Sequence, residues 1–307
     1  MSRLGRDVDF FARPGPCTTL SSQAGQAAVS ALVGEAPVDV CRAVQGLIIQ
    51  PGDAAAAGVE EARMSERNLR SADLIISRAL ELDPAPLEEP RTPDGRVVGT
   101  CRHFAVLATA LLRHGQVPAR ARCGFGTYFV SGQAFDHWVI ERWSDDVGRW
   151  VRVDVEHLDA PLGVDTADLP PGAFLTGGEA WARYRAGSLD PGSCGVPGTD
   201  HAWGVGEIRG NLIRDLAALA RVEVLPWDEW GRMTDSYADR TGADYDHLMD
   251  AIAAICAGAE PHMVLEAYRS EDLEVPASFT TGAWSIAVPD GDDDARANNA
   301  VSGSFPR

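Results

Sequence analysis

Residues 99–112 read GTCRHFAVLATALL, and the fold class follows from this stretch and from what comes after it. Thr100 is an N-cap residue type. Behind it, Phe104, Leu107, Ala108, Leu111 and Leu112 recur at i, i+3, i+4, i+7 and i+8, which predicts a helix with one apolar stripe facing a core. Gly115 ends that helix and Pro118 blocks its continuation. The periodicity then changes. Ala119–Val130 is aromatic and strand-like, and Gly124 and Gly126 within it predict a bulge or a close backbone contact. Asp136–Trp143 and Arg149–Glu156 flank Ser144–Gly148, a turn of Asp, Ser and Gly, so the pair predicts an antiparallel hairpin. In its second strand Val151, Val153 and Val155 share one face, and Trp150, Arg152 and Asp154 share the other.

Upstream, residues 1–36 predict an irregular arm, and Val38–Ile49 and Glu60–Leu82 predict helices, the second stopping at Asp83-Pro84. Pro84–Gly99, with Pro93-Asp94-Gly95 inside it, predicts a surface loop. Downstream of Glu156 a Pro/Gly-rich stretch carries Trp181, Tyr184, Cys194 and Trp203, followed by predicted helices at Ile208–Val222 and Tyr245–Ala257. From Pro289 the chain lacks large apolar residues until near its end, which predicts a solvated tail. The expected organisation is therefore an arm with helices over 1–83 and a core over 84–165. A loop-rich and helical extension of the same domain covers 166–288, and a tail covers 289–307.

A length of 307 residues and 45% hydrophobic content suit a globular chain with a sizeable core. The net charge of -18 excludes nucleic acid as a partner and disfavours an anionic membrane surface. Every basic residue is Arg, so the chain has no lysine amine of its own to serve as an acyl acceptor. The first 16 residues lack an apolar signal region, and the apolar run Phe104–Leu112 is too short to span a bilayer, which predicts a cytoplasmic protein. Six scattered cysteines predict reduced thiols. No cofactor is called for: there is no C-x-x-C pair, no H-E-x-x-H and no EF-hand-like loop.

Three segments carry chemistry: Gly99 to Ala105, Asp136 to Val139, and Arg152 to Asp154. Cys101 falls in the first turn of the helix, where unpaired N–H groups and the helix dipole favour a thiolate and a lowered pKa. His137 and Asp154 lie on the two strands of the hairpin, where side-by-side register lets the carboxylate orient the imidazole. Asp136, Glu156 and Asp159 are rivals for the carboxylate role. His103 is two residues from Cys101 on one helix and points away from it. A zinc site from Cys101, His103, Cys123 and His137 has no supporting spacing. Arg120 and Arg122 either bind a substrate carboxylate or form a solvated strand face. Trp181, Trp203, Trp227 and Trp230 either line a cleft or staple the loops down. Asp136 either steers an amine and tunes the imidazole or is a plain loop carboxylate.

The order Gly99 to Ala105, Leu112 to Arg120 (LRHGQVPAR), His137-Trp138-Val139 and Trp150 to Asp154 resembles the transglutaminase-like superfamily, a circularly rearranged relative of the papain fold. The resemblance covers about residues 95–160. Gln45-Gly46-Leu47, Arg214 to Leu219 and Leu225 to Trp230 are similar to segments of a bacterial branch of that superfamily. It implies an α+β fold with the nucleophile helix packed on an antiparallel sheet and extra helices at both ends. It implies Cys101 as nucleophile, His137 as general base and acid, and Asp154 as the orienting group. Many members carry Trp directly after the nucleophile; Arg102 stands there in this chain, so an aromatic wall is either absent or supplied from elsewhere. Arg102, Asp136, Trp138 and Trp203 are the candidate substrate-contacting residues.

The reaction implied is cysteine-dependent acyl transfer through a thioester, either hydrolysing an amide or passing the acyl group to an amine. The partners expected are a peptide, protein or small-molecule acyl donor and an amine acceptor. A small-molecule amide synthase and a non-catalytic peptide-binding module on the same scaffold are the alternatives.

Overall fold

The computed structural model describes residues 3–22, 25–26, 29–32, 34–270 and 272–281; the tail expected over 289–307 lies outside them. The helices that position the site are α1 (Pro37–Leu47), α2 (Ala72–Leu82), α3 (Cys101–His114), α4 (Gly177–Arg185), α5 (Val205–Leu219) and α6 (Ala243–Gly258). The strands are β1 (Ile48–Ile49), β2 (Val97–Val98), β3 (Ala119–Gly126), β4 (Ala134–Ser144), β5 (Arg149–Val153), β6 (Phe174–Thr176) and β7 (Cys194–Gly195). The main sheet has the order β5-β4-β3-β6, with every neighbour antiparallel. β7 pairs in parallel with the start of β4, and β1 and β2 form a separate parallel pair.

The helix α3 lies on the sheet face carrying Ala119, Ala121, Cys123, Trp138, Ile140, Val151 and Val153, all in one buried cluster with Phe104, Leu107 and Leu111. The sequence predicts one apolar stripe on α3, but the helix is buried from Cys101 to Arg113. Val44 and Leu47 of α1, with Ile75 and Ile76 of α2, close the side away from the sheet. Fully burying each large apolar side chain contributes about 1.5–3 kcal/mol, so the central helix is the strongest anchor of the fold. A second core joins α4, α5 and α6 to Phe125 and Leu175 of the sheet.

Several boundaries differ from the sequence reading; the strands expected over Ala119–Val130 and Arg149–Glu156 end at Gly126 and Val153, which leaves Asp154 just beyond the hairpin. The stretch expected as one helix over Glu60–Leu82 is a 3-10 helix at Glu61–Asn68 and then α2. Ser71 breaks it, because its side chain accepts the Leu74 N–H and starts a new helix there. The first predicted helix ends at Leu47, since Ile48 and Ile49 pair with Val97 and Val98 as a strand. At Gly124 the predicted interruption is a close backbone contact: a Cβ there would stand 2.0 Å from the Leu175 carbonyl oxygen of β6. Only glycine lets β6 pair beside the strand that faces His137.

Candidate functional site

Cys101 is the first residue of α3, after Thr100 in an extended N-cap conformation. His103 helps to fix that start, because its Nδ1 accepts the Thr100 N–H at 3.1 Å. Burial, and then the Arg102 charge, lower its pKa to about 3, so the ring is neutral and serves the cap. Gly99 is required just before: a Cβ there would meet His103 at 2.9 Å.

One residue past the last paired position of β5 on β4, the chain brings Asp154 beside His137, whose Nε2 stands 3.1 Å from Asp154 Oδ2. This leaves Nδ1 as the ring nitrogen available to the sulfur. One donor atom each of Cys101, His137 and Glu156 lie within 4.8 Å of one another. Asp154 also accepts the Tyr128 hydroxyl at 2.5 Å and the His157 backbone N–H at 3.1 Å. His157 Nδ1 stands 3.1 Å from the same Oδ2. Burial alone would raise the Asp154 carboxyl, but His137 and His157 outweigh it and hold the group well below the usual carboxylate range.

The thiol differs from the sequence expectation. Burial, Asp136 and Glu156 together push Cys101 well above its ordinary value, although the backbone N–H groups of Trp138 and Arg102 act in the opposite direction. Desolvation and two nearby carboxylates outweigh the helix start, so the sulfur rests protonated.

A cavity of about 120 Å³ is lined by Cys101, His137, Thr100 and Gln50 on one side and by Val196, Pro197, Ala202 and Trp227 on another. Its polar end holds Asp136, Glu207, Arg214, Glu229 and Tyr237. Asn211 donates to Asp136 at 2.7 Å, and the Tyr237 hydroxyl donates to Glu207 at 2.8 Å. Burial, offset in part by Arg214 and reinforced by Asp136, raises Glu207 to about 7. Burial likewise raises Asp136, against the Arg214 charge.

The candidate contact residues separate in space. Asp136 lines the cavity. Arg102 is fully buried and turned away, donating to the carbonyl oxygens of Val224, Leu69 and Glu223, so it ties the helix start to the loop after α5. The Trp138 ring lies in the core beneath α3. Trp203 packs edge-on against Phe135 and donates to the Thr199 carbonyl, bracing the loop that supplies Thr199 and Ala202 to the cavity. Of the other tryptophans, Trp227 lines the cavity. Trp181 and Trp230 are buried and donate to Asp250 and to the Leu273 carbonyl, which makes them staples. Arg120 and Arg122 do not reach this cavity; both are buried on Glu141 and line a separate pocket with Arg152 and Trp181.

Sequence reasoning missed Gln50, Tyr128, His157, Glu207, Arg214 and Tyr237, and weighed Glu156 only as a rival to Asp154. Glu156 and His157 directly follow the motif, so adjacency was the one available signal. The others reach the site from distant elements. Two groupings have donor atoms suited to a metal: Cys101 with His137 and Glu156, and His137 with Asp154 and His157.

A helix bearing Cys101 at its start, laid across an antiparallel sheet bearing His137, defines an α+β papain-like core. Residues 83–155 match the family model of the transglutaminase-like superfamily, and this segment of the chain is a transglutaminase-like core. No curated protein and no solved structure matches the chain. Among the described residues no helix is long and apolar enough to cross a membrane.

Proposed function

We propose that the protein is a cysteine-dependent acyl-transfer enzyme in which Cys101 is the nucleophile, His137 the base and acid, and Asp154 the group that orients His137. The observation that carries this reading is the chain of contacts from the sulfur to the imidazole, within 4.8 Å, and from Nε2 to Asp154 at 3.1 Å. The resting thiol gives its proton to His137 as the sulfur attacks the donor carbonyl. Asp154, ionised, stabilises the imidazolium that results. The N–H groups of Arg102 and Trp138, already directed at the sulfur, are donors at hand for the tetrahedral oxygen. His137 then returns the proton to the leaving group, leaving a thioester on Cys101.

The acceptor favoured is an amine. Asp136, Glu207 and Glu229 line the same cavity as Arg214; burial pushes Asp136 and Glu207 toward their protonated forms, and an incoming ammonium group, which restores their charge, is favoured there over an anionic acceptor.

Intact mass after incubation with a p-nitrophenyl ester tests the reading. One acyl adduct, mapped to Cys101 and absent from Cys101→Ala, is expected. Faster loss of that adduct with added amine than in water alone supports transfer. Equal labelling of Cys101→Ala would sink the nucleophile.

A further inference from the structure

The geometry points to a second use of the same pocket: a divalent zinc-class ion binds across Cys101 Sγ, His137 and Glu156, and holds the sulfur out of reaction. The binding site stands on the donor set alone. That it switches the protein off rests on the acyl-transfer reading above.

The donors are a thiol, an imidazole and a carboxylate, the three side-chain types zinc prefers. Bonds of about 2.0–2.3 Å at a tetrahedral angle separate donor atoms by roughly 3.4–3.6 Å. The three atoms already lie within 4.8 Å of one another, so the side chains need to close by little more than about 1 Å.

A second observation points to a missing ligand. The Glu156 side chain is only 6% exposed, yet its Oε2 is buried without a hydrogen-bond partner among the described residues. Its other oxygen, Oε1, accepts the Gln50 amide at 2.7 Å and lies 3.7 Å from His157 Nε2. A buried carboxylate oxygen left unmatched is costly, and a cation is the ligand that satisfies it best. Acyl transfer as described gives Glu156 no step. A metal does.

The surroundings match what a bound ion needs. With Nε2 directed at Asp154, His137 has the carboxylate–imidazole–metal geometry that holds a zinc ligand's tautomer and orientation. Gln50 steadies Glu156 in the same way. Asp136, which lines the same cavity, and Glu156 itself are carboxyls that an arriving dication would hold ionised. His157 opposes the ion from beyond Asp154. Three protein ligands leave a fourth position for water from the cavity that Cys101 and His137 line. On binding, the Cys101 S–H bond breaks, a Zn–S bond forms and the proton leaves to solvent. No electron is transferred, so the inhibition reverses when a chelator removes the ion.

The test uses the full chain with zinc chloride, and cobalt(II) as a spectroscopic stand-in. Calorimetric titration should give one ion per chain, and cobalt should show sulfur-to-metal charge-transfer absorption. Both should vanish in Cys101→Ser, and affinity should fall at least about 10-fold in Glu156→Gln. In the unmutated chain, which needs no variant to fold, zinc should protect Cys101 from iodoacetamide until EDTA is added. Binding that survives both substitutions, or leaves Cys101 as reactive as before, overturns the site. The ester adduct is measured separately on metal-free protein. An adduct on Cys101 without zinc protection therefore removes the metal site and keeps acyl transfer, and protection without an adduct does the reverse.

Discussion

Two buried groups of charges lie at opposite ends of the sheet, one on β3, β4 and β5 and the other gathered around Cys101 from several elements, and the two are built on opposite principles. At one end Glu141 accepts Arg120 and Arg122 on Oε2, at 2.7 and 2.8 Å, and Arg152 on Oε1 at 2.9 Å. Arg122 also forks onto both oxygens of Asp215 at 2.8 Å, and Arg120 lies 4.1 Å above the Trp150 ring. Every charge there has its partner. Although burial opposes ionisation, the three arginines hold Glu141 well below the usual carboxylate range. At the other end, Cys101, Asp136, Glu156 and Glu207 are all pushed toward their neutral forms by burial, and Glu156 keeps an unmatched oxygen. A saturated cluster is locked and does structural work. An unsaturated one beside a cavity is poised to take a proton, a substrate or a cation.

That contrast is open to attack by substitution. The largest effect is expected for Asp154→Asn, which leaves the ring of His137 without an anionic partner and slows acylation of Cys101 by about 10³-fold per folded chain. Rapid-quench mass spectrometry reads this directly, and an unchanged rate would remove Asp154 from the orienting role. Next comes Glu141→Gln at the saturated end. Three arginines then share an uncharged partner, and the loss of stability should be about 3–5 kcal/mol in urea unfolding. The adduct on Cys101 should still form in the protein that remains folded. If instead the adduct is lost and stability is kept, the division of roles drawn above is wrong.

The smallest effect separates the two ends by pH. Burial opposes the charge on His157, yet Glu156 and Asp154 raise it to about 9 from 6.5. A raised folded pKa means that the protonated form stabilises the native state. The contribution is full below 6.5 and is lost as the pH rises through 9. His157→Gln should therefore cost about 2 kcal/mol at about pH 6 and much less at about pH 10. Equal destabilisation at both pH values would show that His157 acts by packing alone.

Much of the scaffold was legible in the chain because it depends on local pattern. The 3.6-residue period after Thr100, the change to strand composition at Ala119 and the Ser144–Gly148 turn are short-range signals, and α3, β3, β4 and β5 follow them. The sequence could place Cys101, His137 and Asp154 as candidates for the same reason: the first two sit on α3 and β4, and Asp154 directly follows β5. Arg102 was misread. Its position after Cys101 suggested a place in the pocket, but the helix turns it toward the Val224 and Leu69 carbonyl oxygens. The same limit applied to Arg120 and Arg122, because no local pattern tells that Asp215 of a helix 93 residues away will pair with one of them.

The sequence by itself determined the helix–strand–hairpin order and where the three candidate residues fall along it, because backbone periodicity, capping and turn chemistry act within a few residues. Tertiary structure alone decided the electrostatics. It brought Gln50, Tyr128, Glu156 and His157 around the motif, and Glu207, Arg214 and Tyr237 to the far wall of the cavity. It also reversed the expected state of the thiol, because desolvation and neighbouring charge depend on what folds against Cys101 and not on what stands beside it in the chain.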